Sequence, residues 1–235
     1  NRYHFPVVVV LYLSLVGVAL AGNDEQRKTV IVTATRTAQT ADEVLSSVTV
    51  ISREDIERRQ ARSVEDLLRG TQGISITNNG GPGKNTSVFM RGTESDHILV
   101  LIDGVRAGSA TSGGAAYGNI PIEQIERIEI VRGPRSSLYG SEAIGGVIQI
   151  FTRKGGKEGF TPSFSIGGGS YGTFNGSAGL SGRSKRGWFN MNISGKNTNG
   201  FNSCSGKPYP KGAGCFTNEP DRDGYQNVAG SFRAG

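Results

Sequence analysis

Past residue 155 the chain loses its helix signals and settles into one rhythm. The segments TPSFSIGGGS (161–170), TFNGSAGLSG (173–182), GWFNMNISGKNT (187–198) and YQNVAGSFRAG (225–235) alternate small or polar residues with apolar or aromatic ones. Period-two alternation sorts the two classes onto opposite faces of a strand. Short turns such as Arg183-Ser184-Lys185-Arg186 separate the segments, apart from one long loop at 199–224. Strands of about ten residues with weak, glycine-rich alternation are what a transmembrane β-barrel looks like. The competing arrangement is an ordinary β-sandwich. A sandwich would want larger inward residues, and the Gly, Ser and Asn here suit a wide polar lumen better. Four strands cannot close, and an open edge is untenable in lipid. The pattern also breaks off in mid-strand, so the sequence reads as truncated at both ends.

Before residue 155 helix and strand signals alternate. Ser52-Arg53-Glu54-Asp55 opens a short helix with a capping-type start. Ser63-Val64-Glu65-Asp66 opens another, with Val64, Leu67 and Leu68 as its apolar residues and Gly70 and Gly73 as its stop. Strands are expected at 47–51, 74–77, 87–90, 97–102, 127–131 and 146–152. Asp103-Gly104 marks a tight turn back into Val105-Arg106, and Pro121 suits the first turn of a short helix over Ile122 and Ile125. This half makes a compact α+β domain with a core of its own.

The first 21 residues read as an export signal. Arg2 supplies charge, Val7 to Leu20 an almost unbroken apolar core, and Ala19-Leu20-Ala21 a small-x-small cleavage site. The apolar run is shorter than the roughly 20 residues that span a bilayer. Two cysteines, Cys204 and Cys215, fit an oxidising compartment, and their nearness suggests one local disulfide closing a surface loop. The net charge of +6 arises from scattered basic residues without a stripe or motif, so nucleic acid is not an expected partner.

Catalytic motifs fail one by one. In NGGPGKNTS (78–86) the position five before Gly83 is Asn78 and the residue after Lys84 is Asn85, so no phosphate-cradling loop is present. Ser136, Ser137 and Ser141 lack a nucleophile elbow, and His97 is the only histidine beyond the signal. No enzyme and no catalytic cofactor are expected. One stretch is left over: KTVIVTATR (28–36) is rich in β-branched residues, with no obvious hairpin partner beside it in sequence.

Arg91-Gly92, HILVLIDGVR (97–106) and IEQIERIEIVRGPRSSLYGSEAIGGVIQIFTRKG (122–155) resemble, in order and spacing, the plug domain of TonB-dependent outer-membrane receptors. The resemblance implies an α+β plug domain followed by the first strands of a transmembrane antiparallel β-barrel, 22-stranded in that family. It divides the chain into a signal peptide (1–21), a TonB box and linker (22–46), a plug (47–156) and N-terminal barrel strands (157–235). It further implies that a scarce, bulky ligand is admitted with energy from the inner-membrane TonB complex. ITNNGGPGKNTSVFMRGTESDHILVLIDGVR is similar to the plugs of cobalamin (vitamin B12) receptors, while ferric siderophores and haem are ligands of other members. A soluble exported binding domain is the reading outside this family.

The resemblance also assigns residues. Thr29, Val30, Ile31, Val32 and Thr33 match the TonB box, which a periplasmic partner catches by strand addition; Lys28 stands where the family often has an acid. Asp221 and Asp223 are similar to a D-x-D-G-aromatic stretch at which cobalamin receptors bind calcium, a cation that takes oxygen ligands. Read alone they are a solvated acidic turn. Outward plug loops supply ligand contacts in the family, which by position are Glu94, Ser95 and Asp96, and Thr111 and Ser112. Arg91, Arg132 and Arg135 are expected to pair with barrel-wall carboxylates and hold the plug.

Overall fold

The structure is a computed structural model that describes residues 30–31, 39–40, 47–109, 113–156, 158–204, 206, 211, 215 and 221–235. The signal segment, Thr29, Val32, Thr33, Thr111 and Ser112 lie outside the described residues. Val30–Ile31 (β1) pairs antiparallel with Gln39–Thr40 (β2), in register Val30 with Thr40 and Ile31 with Gln39. The stretch expected to be unpaired therefore has an intramolecular partner. Gln39-Thr40 carries no apolar alternation, and its pairing rests on backbone bonds that leave no trace in side-chain pattern.

The first half builds around a five-stranded sheet. Its members are Val48–Ile51 (β3), Ile98–Ile102 (β6), Val105–Arg106 (β7), Ile125–Arg132 (β8) and Gly146–Thr152 (β9), in the order β3-β8-β9-β6-β7. β6 and β9 run parallel in the interior, and a parallel pair covered on both faces needs dominantly apolar runs such as ILVLI and VIQI, the latter interrupted by Gln149. Ile128, Ile130, Ile148 and Ile150 face the helices Arg53–Arg59 (α1) and Val64–Arg69 (α2), whose Ile56, Val64, Leu67 and Leu68 complete the main core. Leu99, Leu101 and Val147 point to the other face, where Ala143 and Tyr139 cover them. Tyr139 ends Ser136–Tyr139 (α3), one turn that the apolar pattern does not announce. Ile74–Asn78 (β4) and Thr86–Met90 (β5) form a separate hairpin against α2. Pro121 precedes a 3-10 turn at Ile122–Gln124.

The α1 start is a complete capping box. The Ser52 hydroxyl accepts from the Asp55 amide at 3.2 Å, and the Asp55 carboxylate accepts from the Ser52 amide at 3.1 Å. Burial works to raise the Asp55 pKa, but the Ser52 hydrogen bonds and the charges of Arg58 and Arg59 bring it below its ordinary value. A carboxyl lowered in the folded state stabilises above its unfolded pKa, and that contribution disappears as pH falls through the folded pKa. Asp55→Ala should therefore cost about 1 kcal/mol at neutral pH. The gap from wild type should persist down to about pH 5 and close below about pH 4. Denaturant titrations of the plug signal across that range check both halves of the expectation.

The second half is an antiparallel meander of Gly159–Gly169 (β10), Thr173–Ser184 (β11), Gly187–Thr198 (β12) and Tyr225–Ala234 (β13). Register sorts the residues cleanly. Phe160, Phe164, Ile166, Leu180, Met191 and Phe232 share one face, and Phe164 is 78 % and Phe232 71 % exposed. The opposite face carries Asn175, Arg183, Asn192, Lys196, Tyr225 and Arg233. An apolar face turned outward and a polar face turned toward the first domain invert the logic of a soluble sandwich, and this is how a barrel wall in lipid is built.

Candidate functional site

The loop lengths give the wall a direction. The tight turn at 185–186 and the long loop at 199–224 lie at opposite ends of the strands, and in such barrels short turns face the periplasm and long loops face outward. The plug meets the wall at both ends. At the inner end the Arg233 guanidinium on β13 lies 3.0 Å from the Asp103 carboxylate and donates to the Thr152 hydroxyl at 2.6 Å. Asp103 also accepts from the Thr152 amide and hydroxyl, which ties the ends of β6 and β9 to the same arginine. Close by, Arg183 on β11 donates to the carbonyls of Gly155 and Gly156.

At the outer end the β4–β5 hairpin tip, the 3-10 turn at Tyr117–Asn119 and the 199–224 loop converge. Lys84 at the tip lies 2.6 Å from the Asp223 carboxylate. The second Asp223 oxygen accepts from the Ser203 amide at 2.8 Å and from the Ser203 hydroxyl. Lys84 and Ser203 hold the Asp223 carboxyl well below the usual carboxylate range. Tyr225 donates through its hydroxyl to the Gly118 carbonyl at 3.1 Å, and its ring rests on Gly83. Gly83 has φ +80°, and a Cβ there would come within 2.1 Å of that ring, so the position requires glycine twice over. Cys204 and Cys215 are joined, with Cα atoms 5.3 Å apart, and close the loop's near half.

A cleft of about 260 Å³ opens between α2, the hairpin tip and β12, lined among others by Arg62, Glu65, Gly81 and Lys196. Glu65 is buried beneath it, with its Oε2 lacking a hydrogen-bond partner among the described residues. Burial, aided by the Glu65 charge, pushes the neighbouring Tyr117 hydroxyl above its ordinary pKa. Tyr117 therefore stays a neutral donor.

Of the loop residues singled out from the sequence, Glu94 precedes and Ser95 and Asp96 enter the 3-10 turn Ser95–His97, at the sheet end where β6 and β9 begin. Carboxylate oxygens of Glu94 and Asp96 and a ring nitrogen of His97 gather within 4.8 Å of one another at the surface. Asp96 packs beside Gly113, where a Cβ would lie 3.1 Å from its own Cβ. The two loops read as outward contacts therefore meet.

The three arginines behave differently from one another. Arg132 is buried and donates to the Gln72 carbonyl at 2.8 Å and to the hydroxyls of Ser47 and Thr49. Burial and the nearby Arg91 lower its pKa. Arg132 thus staples β3 to the turn before β4, inside the plug. Arg91 sits at φ +51° and receives a backbone anchor at the Gly73 carbonyl. Arg135 donates to the Pro134 carbonyl, and its Nε is buried without a partner among the described residues. Strands β10 to β13 carry no Asp or Glu for any of them to meet. The arginine that does pair across the two halves among the described residues, Arg233 with Asp103, has the opposite polarity, with the arginine on the wall and the carboxylate on the plug. Asp103 gave no such signal in sequence, because Asp-Gly already explained it as a turn.

The TonB-dependent Receptor Plug Domain family model matches residues 40–147. The chain carries the plug domain of a TonB-dependent receptor. A vitamin B12 transporter of Vibrio cholerae serotype O1 is 39% identical over 208 residues, covering 88% of this chain and 33% of the transporter. The receptor chain thus spans about one third of the length of the curated relatives it matches. Among solved structures, the siderophore receptor PirA of Acinetobacter baumannii is similar at 26% identity and TM-score 0.60, covering 80% of this chain and 29% of that one. A ferric enterobactin receptor of Pseudomonas aeruginosa (a Q482A mutant) is similar at 25% identity and TM-score 0.59, over 80% of this chain and 30% of that one. The receptor's place is the outer membrane of a Gram-negative bacterium.

Calcium is the cation that the resemblance implies at the 221–225 turn. Asp223 has one oxygen against an ammonium and the other under two Ser203 donors, while Asp221 stands exposed in a bend. A calcium ion needs six to eight oxygens, most of them free carboxylate or carbonyl oxygens. The described residues of the turn do not fit it.

Proposed function

We propose that the receptor binds cobalamin at its outer face and imports it into the periplasm, driven by the TonB complex acting on residues 29–33. The observation that carries this reading is the 39% identity to a vitamin B12 transporter over 208 residues, 88% of this chain. The stretch ITNNGGPGKNTSVFMRGTESDHILVLIDGVR supplies the hairpin tip and the 94–97 turn, both of which lie at loop ends of the plug. The protein acts by capture and release, with no bond-making step. Ferric siderophores are the competing class, since two similar solved structures are siderophore receptors.

Equilibrium binding to the full-length receptor in detergent decides between them. Cyanocobalamin is expected to bind at or below micromolar concentration and ferric siderophores to fail at the same concentration. Absence of cyanocobalamin binding at micromolar concentration sinks the cobalamin assignment while leaving the family intact.

A further inference from the structure

The resemblance to cobalamin receptors calls for a metal ion at the 221–225 turn, yet the geometry holds a lysine there. We infer that Lys84 is this receptor's built-in replacement for a divalent cation, and that it clamps the 199–224 loop to the plug hairpin without metal. The two groups come from elements far apart in the chain, the β4–β5 tip and the loop before β13, so their meeting is tertiary. The Lys84 ammonium at 2.6 Å from Asp223 takes the carboxylate edge that a cation would need. Ser203 takes the other edge with two donors. Lysine is suited to this task as a compact point charge on a flexible stem.

Charge accounting supports the same conclusion. Between 199 and 224 the sequence has three acids, Glu219, Asp221 and Asp223, against three bases, Lys207, Lys211 and Arg222. The loop sequence therefore carries no excess of acid. Divalent-cation sites are built the other way, with several carboxylates in excess. The clamp also has company that needs no metal. The Tyr225 hydroxyl reaches the Gly118 carbonyl, its ring seats on Gly83 beside Lys84, and a Cβ on Gly81 would touch the Phe201 ring at 3.5 Å. Phe201 in turn packs on Tyr171, with ring centroids 5.2 Å apart.

Proteinase K cleavage within 199–224 of the full-length receptor, mapped by mass spectrometry, tests the inference. Wild type should be cut at rates within twofold of each other in EGTA and in millimolar calcium chloride. Lys84→Gln should be cut at least tenfold faster in EGTA, and Lys84→Arg should retain most of the protection. Tenfold protection of wild type by calcium overturns the inference, and so does a Lys84→Gln loop cut no faster than wild type. Cleavage is followed beside that of the β10–β11 turn, so a general loss of folding is distinguished from release of this one loop. No corrinoid is present in the assay, so either failure leaves the ligand assignment standing.

Discussion

Proline at Ile31 should abolish energised uptake while leaving ligand capture at the cell surface unchanged. A partner that adds an extended peptide to its sheet needs the amide donors of 29–33 and an extended backbone. Proline removes a donor and is excluded from paired strand interiors. Because the capture site proposed above draws on the plug's loops and not on residues 29–33, capture of ligand by whole cells should stay within twofold of wild type. Uptake should fall to the level of cells lacking the energy-coupling protein. Loss of capture and uptake together would show that the segment is structural instead. The β1–β2 ladder adds a second arm. Among the described residues Val30 and Ile31 pair with Thr40 and Gln39, and a lone two-stranded ribbon is marginal on its own. The partner must displace it, so Thr40→Pro should leave uptake intact or raise it, the reverse of Ile31→Pro.

Alanine at Gly146 should unravel the plug without unfolding the wall. Gly146 opens β9 at φ +154°, buried between Ile98 of β6 and Arg132 of β8. A Cβ there would lie 2.3 Å from the Val131 carbonyl and 2.4 Å from the Met90 sulfur. The carbonyl belongs to the neighbouring strand and cannot yield without breaking the ladder. Strain and overpacking together should cost about 3–5 kcal/mol, a large part of the roughly 5–15 kcal/mol that holds a typical domain. Gly104 is the control, with φ +86° but nothing within 4 Å of a Cβ. Gly104→Ala should cost only about 1 kcal/mol, the conformational part alone. Hydrogen exchange of the full-length receptor reads the two cases. Gly146→Ala should lose protection across β6, β8 and β9 with β10 to β13 unaffected. Retained protection in β9 would show that the sheet accommodates the methyl group.

Much of the architecture could be read from side-chain period. ILVLI is apolar without a break, and GVIQIF is so but for Gln149, because β6 and β9 are covered on both sides, and the 159–234 alternation gave the two faces of the wall directly. The Ser52 capping box was legible for the same reason, since its partners lie three residues apart. What stayed hidden depends on meetings between distant residues. Lys84 with Asp223 and Asp103 with Arg233 look in sequence like ordinary surface charges or turn formers. Arg132 was legible as a structural arginine but not as one bonded wholly within the plug. The pairing of Gln39-Thr40 with β1 runs through backbone groups, which every residue except proline offers alike.

One strand touches the plug twice. Tyr225, two residues after Asp223, opens β13 against the hairpin tip, and Arg233 near its end grips Asp103 and Thr152. A β-strand is nearly inextensible, and ten residues of it measure about 33 Å. β13 therefore works as a tie rod between the two ends of the plug. A shove on its outer end cannot be absorbed by stretching and arrives as slip at the inner joint. Under the transport proposed above, a pull on the plug from the inner side must first break a grip whose alignment the outer end has a hand in setting.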